Sequence, residues 1–264
     1  MRRDLIGGLS IAGLIIGAAL LSLIWTPYDV TELAIASRLA GPSIDHWLGT
    51  DQLGRDVLSM VMIGARVTLG VAVSAIAIGA GIGVPLGLLA AIKRGLADDL
   101  VMRANDLVFA FPALLLAILL SASLGSGAIC AVLAIGIFNI PIFARITRGS
   151  ALVIWQRDYI LAARVAGKSA TEITVEHVLP NISGTILVQA TIQFAFAIAA
   201  EAGLAYLGIG AQPPLPSWGR MLSDAQTMIS FAPWLAIFPG LAIAASVLAL
   251  NLIGGSLKST LSRS

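Results

Sequence analysis

The chain has 264 residues, of which 58% are hydrophobic and only 11% charged, with a formal net charge of +2. A soluble domain carries about 25% charged residues, so a water-soluble globular protein is excluded. A single cysteine, Cys130, and two distant histidines, His46 and His177, exclude a disulfide framework and a Cys-based zinc site and are poor material for any metal centre.

A bilayer core is crossed by about 20 apolar helical residues. Six stretches are long and apolar enough, at 5–25, 66–92, 104–124, 127–147, 182–207 and 233–254. In lipid a helix satisfies its own backbone hydrogen bonds, so an all-α bundle of six transmembrane helices is expected. Residues 1–65 would hold the first span and an outer segment. Residues 66–264 would form a five-helix core with a water-facing loop at 148–181.

The first apolar run follows Met1-Arg2-Arg3. It is too long for the apolar region of a signal peptide, and no small-residue cleavage site follows it, so it is expected to be a retained span. Gly13 and Gly17 within it are four residues apart, which decides nothing, because glycine is common in membrane helices. In the outer segment, Asp51 and Arg55 are four apart and suggest a solvated helical ion pair.

Span two carries Gly79, Gly83 and Gly87. Small residues at this spacing let two helix backbones approach closely, so the stripe predicts a helix–helix interface. Pro85 lies inside the stripe and is expected to bend the span. In span three, Arg103 and Asp106 are three apart and suggest a local pair. In span four, Asn139 and Pro141 suggest a broken or hydrated section.

Span five holds Gln189 and Gln193 one turn apart, then Glu201. Two amides on one side favour a polar cavity or an interhelical hydrogen bond. A carboxylate in a span faces a partner or a water-filled cavity. Gln189, Gln193, Glu201 and Asn139 are therefore the candidate pathway residues. For Glu201 the alternative is a structural bond to outer-loop backbone or to an arginine such as Arg66. Beyond span five, "QPPLPSWG" (212–219) is a stiff turn, and Trp218 is placed to anchor at the membrane interface.

Lys and Arg set the orientation. With the N-terminus inside, the inner side collects Arg2, Arg3, Lys93, Arg94, Arg103, Arg145, Arg148, Arg157, Arg164, Lys168, Lys258 and Arg263. The outer side has Arg38, Arg55, Arg66 and Arg220. Both termini are thus expected in the cytoplasm, with 148–181 the largest cytoplasmic loop. Basic residues at inner helix ends are explained by topology, without nucleic acid.

That loop contains Gly167-Lys168-Ser169, the tail of a phosphate-binding P-loop. A P-loop has a glycine five residues before this one and follows a buried strand. Here Ala162 stands at that position, and "WQRDYIL" before it is too charged for a core strand. Local helix signals fit better. Ile160, Ala163, Val165 and Ala166 are expected to share an apolar side of one short helix. Gly167 stands where a helix end favours positive φ. Ser169 with Glu172 reads as a capping box opening a second helix over 170–178, which Pro180 ends.

The same residues resemble a family motif. ABC importer permeases carry a cytoplasmic loop of pattern E-A-A-x3-G-x9-I-x-L-P. This chain has Ala162-Ala163, Gly167 and Leu179-Pro180 in register, with Leu161 at the Glu position and His177 at the Ile position. The dipeptide/oligopeptide/nickel branch, including dipeptide permease C-like proteins, looks similar at both departures. It also resembles this chain over 46–69, 201–222 and 232–254.

The resemblance implies a type I ABC importer permease fold in a bacterial inner membrane. It implies a second, homologous permease, two ATP-binding subunits, and a periplasmic or lipid-anchored substrate-binding protein, with membrane lipid around the bundle. ATP and Mg would sit on the partner subunits, with no cofactor and no catalytic residue on this chain. Ala162, Ala163, Arg164, Gly167, Lys168, Ser169, Glu172, Leu179 and Pro180 would couple the chain to an ATPase. The implied solute is a dipeptide or oligopeptide, with nickel or glutathione as the alternative. An ion-coupled secondary transporter would need midplane acids and inverted repeats. A membrane enzyme would need a catalytic set. The sequence shows neither.

Overall fold

The structure is a computed structural model and describes residues 2–261. Met1 and Arg263, which entered the reading above, lie outside the described residues. The chain folds into helices α1 (Arg2–Leu21), α2 (Val57–Lys93), α3 (Leu96–Ala110), α4 (Ala113–Leu124), α5 (Ala128–Ile154), α6 (Asp158–Val165), α7 (Ala170–Ile173), α8 (Leu179–Tyr206), α9 (Trp218–Ala225) and α10 (Trp234–Leu261). Among the described residues there is no β-strand, only an isolated bridge between Thr50 and Asp56. The all-α membrane fold is as expected.

Five continuous helical segments are long and apolar enough to cross a membrane: α1, α2, α5, α8 with the turns before it, and α10. The third expected span, 104–124, is not one straight helix. It is divided between α3 and α4, which meet at 82° and are long and apolar enough for a sixth span only when taken together. The cause is local. Pro112 disfavours the helical conformation in the residue before it, and Phe111 is extended, with φ −88° and ψ 123°.

α2 starts earlier than its apolar run suggested. Asp56 caps it, its carboxylate accepting the Ser59 amide and hydroxyl, each at 2.8 Å. The helix continues through Pro85 to Lys93. The glycine stripe does what its spacing implies. A methyl group at Gly79, Gly83 or Gly87 would lie under 3.0 Å from Asn139 Cβ, the Ile140 carbonyl and the Ala144 carbonyl respectively. All three contacts are on α5, so the stripe is the α2–α5 interface. Gly13 and Gly17 meet nothing within 4 Å.

Two ion pairs tie α3 to α5. Arg148 donates two bonds to the Asp98 carboxylate, both 2.5 Å. Arg145 pairs with Asp106, also at 2.5 Å, and stacks its guanidinium 4.4 Å from the Phe109 ring. The local Arg103–Asp106 pair is therefore not formed. An α5 arginine satisfies Asp106 across the helix interface.

The segment between α1 and α2, expected to be the outer one, is a loop with one short 3-10 turn at Ile35–Ser37. Asp51 is not part of a solvated helical pair. It lies in a tight turn, accepting the Leu53 and Arg55 amides at 2.8 Å each and the Arg55 guanidinium at 2.6 Å. The Asp51 side chain is 8% exposed and that of Arg55 14%. Burial of the turn under α9 and α10 draws the pair inside.

Trp218, at the start of α9, is not an interface anchor. It is 1% exposed, its indole N–H donates to the Val61 carbonyl at 3.0 Å, and its ring packs 2.9 Å from where a Gly64 methyl would sit. Trp218→Ala should cost about 3–5 kcal/mol and lower the thermal unfolding midpoint of the purified complex. An unchanged midpoint would mean that α9 is not part of the core.

Candidate functional site

The loop at 158–180 is built from two short helices and a turn. α6 ends at Val165, with the Ala166 amide bonded to the Ala162 carbonyl at 2.9 Å. Gly167 has φ +85°, a conformation that side-chain-bearing residues adopt reluctantly. This lets the chain reverse so that the Lys168 amide donates to the Ala163 carbonyl at 3.2 Å. The expected capping box is present. The Glu172 amide donates to Ser169 Oγ at 3.3 Å, and the Glu172 carboxylate accepts the Ser169 amide at 2.7 Å.

Pro180 does not end the second helix. After α7, residues Thr174–Val178 form a π-type turn that leads directly into α8, and Pro180 sits in the first turn of α8. A proline lacks an N–H and its ring crowds the carbonyl four residues back. The wider π turn just before it gives that ring room. The capped turn and span five are thus one continuous helical run, Ala170–Tyr206.

A small core holds the loop against the bundle. Ile160, Ala163, Ile173, Val178 and Ile182 are buried together with Trp155, Ala151 and Ala91. Arg164 lies over the Trp155 ring at 5.0 Å. Lys168 pairs with Glu176. Of the expected apolar side, only Ile160 and Ala163 are buried; Val165 and Ala166 are exposed. At 100° per residue, positions 165 and 166 lie well off the face shared by 160 and 163.

The exposed side mixes apolar and charged residues. Leu161 is 51% exposed, Val165 90% and Val175 60%, with Ala162, Ala166 and Ala170 exposed between them. Arg164, Lys168, Ser169, Glu172 and Pro180 are also exposed, and Leu179 is half-buried. Trp155, Ile173 and Val178, which hold this element, were not singled out from sequence. The available signal was their apolar character inside an otherwise polar loop. Gly167-Lys168-Ser169 is not a phosphate cradle, because it follows a helix rather than a strand and its serine and lysine are engaged within the loop.

The candidate pathway residues lie apart from this element. Gln193 Nε2 donates to Asn139 Oδ1 at 2.7 Å, joining α8 to α5, and Asn139 Nδ2 donates to the Ile135 carbonyl at 2.8 Å. Asn139 is 0% exposed and Gln193 7%. Gly79 of α2 packs on Asn139, so three helices meet at this amide pair. Gln189, one turn away, is half-buried and makes no side-chain hydrogen bond among the described residues. Glu201 is 0% exposed and accepts from Thr68 Oγ1 at 2.8 Å. Thr68 in turn accepts the Trp218 amide at 3.4 Å. Arg66 is not its partner; that side chain donates to the Ser22 carbonyl at 3.3 Å.

Residues 83–264 match the family described as binding-protein-dependent transport system inner membrane component. The glutathione transport system permease protein GsiD of Pectobacterium atrosepticum is 44% identical over 236 residues, covering 89% of this chain and 78% of that protein. GsiD of Escherichia coli O157:H7 is 45% identical with the same coverage. Among solved structures, an inward-facing form of the MetNI methionine ABC transporter aligns with TM-score 0.62 and 18% identity, covering 77% of this chain and 95% of that one. That likeness concerns the fold. Together with the five long apolar helices and the bent α3–α4 pair, these matches show that the chain belongs to the binding-protein-dependent inner membrane components and is the permease subunit of an ABC importer.

Proposed function

We propose that this subunit imports a small peptide, with glutathione the first to test, driven by ATP hydrolysis on separate ATPase subunits that dock on residues 158–180. The identity to glutathione permeases supports the solute; nickel is the alternative within the same branch. The observation that carries the docking is the exposed Leu161, Val165 and Val175 on an element whose backbone is capped and packed. Apolar side chains facing water on a rigid scaffold are the usual mark of a protein-binding surface.

In this reading Ala162 and Ala163 permit close approach, and Gly167, Ser169, Glu172, Leu179 and Pro180 keep the element stiff. Arg164 and Lys168 bring charge to its rim. A second permease completes the pathway, a periplasmic or lipid-anchored binding protein delivers the solute, and ATP with Mg stays on the ATPases. Both termini lie in the cytoplasm of a bacterial cell. Residues 1–65 add a first helix and outer segment to a core at 66–264. Asn139, Gln193 and Glu201 shape the pathway by fixing α2, α5 and α8 from behind. Gln189, with its unengaged amide, contacts the solute directly.

Val165→Cys tests the docking and the orientation together. Cys130 is 2% exposed and does not compete for reagent. A membrane-impermeant maleimide should label Val165→Cys in inside-out vesicles stripped of ATPase, and much less once ATPase is restored. Labelling in right-side-out vesicles, or labelling indifferent to ATPase, would overturn the reading. Glutathione uptake into proteoliposomes, scored against dipeptides and nickel, tests the solute separately.

A further inference from the structure

An apolar groove of about 440 Å³ opens between α1, α2, α8 and α10. On α1 its wall runs from Ala12 to Leu20, with Leu23 just past the helix end, and on α2 from Arg66 to Ser74. Phe194 and Ile198 of α8 form the floor with Leu250 of α10. Towards the start of α1 the helix lies close on α10, where a methyl at Gly8 would come 2.9 Å from the Ala249 carbonyl and 3.0 Å from Ile253. The groove thus begins beside this contact and runs along α1 and α2 towards Ser22 and Arg66.

Its chemistry is one-sided. The wall is aliphatic and aromatic apart from Ser74, Ser246 and Arg66, and the Ser246 hydroxyl is turned to the Ala242 carbonyl at 2.7 Å. Arg66 stands level with the end of α1, bonded once to the Ser22 carbonyl. Among the described residues no carboxylate pairs with it. Arginine has five N–H donors arranged to grip a phosphate, so the remaining ones present a positive, hydrogen-bonding rim over an oily trough.

The dimensions match one leaflet. From Ala12 to its end at Leu21, α1 gives the groove about 14 Å of helix, and half of a bilayer core is about 15 Å. We propose that this groove binds a phospholipid of the leaflet opposite the 158–180 element, its phosphodiester on Arg66 and one acyl chain along α1 and α2. The proposal rests on the membrane fold and not on the docking of ATPase, so either can fail alone. The lipid closes the outer half of the α1 interface, which the protein leaves open.

The test uses the purified transporter complex in nanodiscs of phosphatidylethanolamine and phosphatidylglycerol. A trace of phosphatidylglycerol carrying a photoreactive diazirine in its acyl chain is added, and labelled peptides are mapped. Adducts should concentrate on Ile15, Ile16, Leu69, Val73 and Phe194. Arg66→Gln should reduce them about tenfold, the scale of one charge-assisted hydrogen bond, with labelling elsewhere unchanged. A diazirine diacylglycerol, which lacks the phosphate, should label the intact protein at the same reduced level, so the result does not depend on how the variant folds. Uniform labelling around the bundle, equal labelling by the two probes, or crosslinking of the groove to a partner permease would overturn the proposal.

Discussion

Gly83→Ala is expected to destabilise the bundle by about 3 kcal/mol, the upper part of the range for overpacking a tight core. Gly81→Ala, two residues away, should do the reverse. At Gly83 the added methyl lies under 3.0 Å from the Ile140 carbonyl and from Phe143 Cβ. Both belong to the α5 backbone or its root and cannot swing aside. At Gly81 the methyl meets nothing within 4 Å, and alanine in a helix interior gains about 0.5–1 kcal/mol over glycine. The opposite signs separate helix–helix contact from helix propensity on the same helix. Thermal unfolding of the purified complex reads both. Two variants that shift in the same direction would show that the glycine stripe is not the α2–α5 seam.

Gly167→Val should leave the bundle stable but lower solute-stimulated ATP hydrolysis about tenfold. Gly167 is exposed, and a methyl there meets nothing, so no packing is lost. The cost is conformational, since φ +85° puts an L-residue in the left-handed region at about 1–2 kcal/mol, more for a branched side chain. Relief of that strain tilts α6 against α7 and spoils the surface made by Val165 and Val175. Gly167→Asn should retain most of the activity, because asparagine tolerates the same conformation. Normal transport by the valine variant would remove 158–180 from the coupling path. Equal loss in both variants would point to the missing Cβ rather than to φ.

Much of the architecture was legible because its causes are local. Length and polarity fix the spans. Gly167, Ser169 and Glu172 announce a helix end and a helix start within six residues. The spacing of Gly79, Gly83 and Gly87 announces a close seam without naming the partner helix. What escaped has its cause far away in the chain. Asp106 finds Arg145 rather than Arg103, and Asp98 finds Arg148, because folding brings α5 alongside α3. Asn139 and Gln193 are engaged with each other, where two amides in a span could equally have met a solute. Trp218 looked like an interfacial residue because the glycine that receives it, Gly64, lies on another helix. The break at Phe111–Pro112 was present as a local signal, but a continuous apolar run concealed it. At Pro180 the opposite occurred: a strong stop signal was absorbed by a π turn that keeps the helix going.

That absorbed stop has a mechanical consequence. The uninterrupted run Ala170–Tyr206 has 37 residues, about 55 Å of helix, against a hydrocarbon core of about 30 Å. The residues before the apolar run at 182–207, from 170 to 181, leave about 18 Å of helix to extend beyond the lipid on that side. A shaft of that length displaces its far end by about 0.3 Å for each degree that it rocks at the membrane surface. Were the proposed ATPase to grip Ala170, angstrom-scale closure there would call for rotations of a few degrees inside the bilayer.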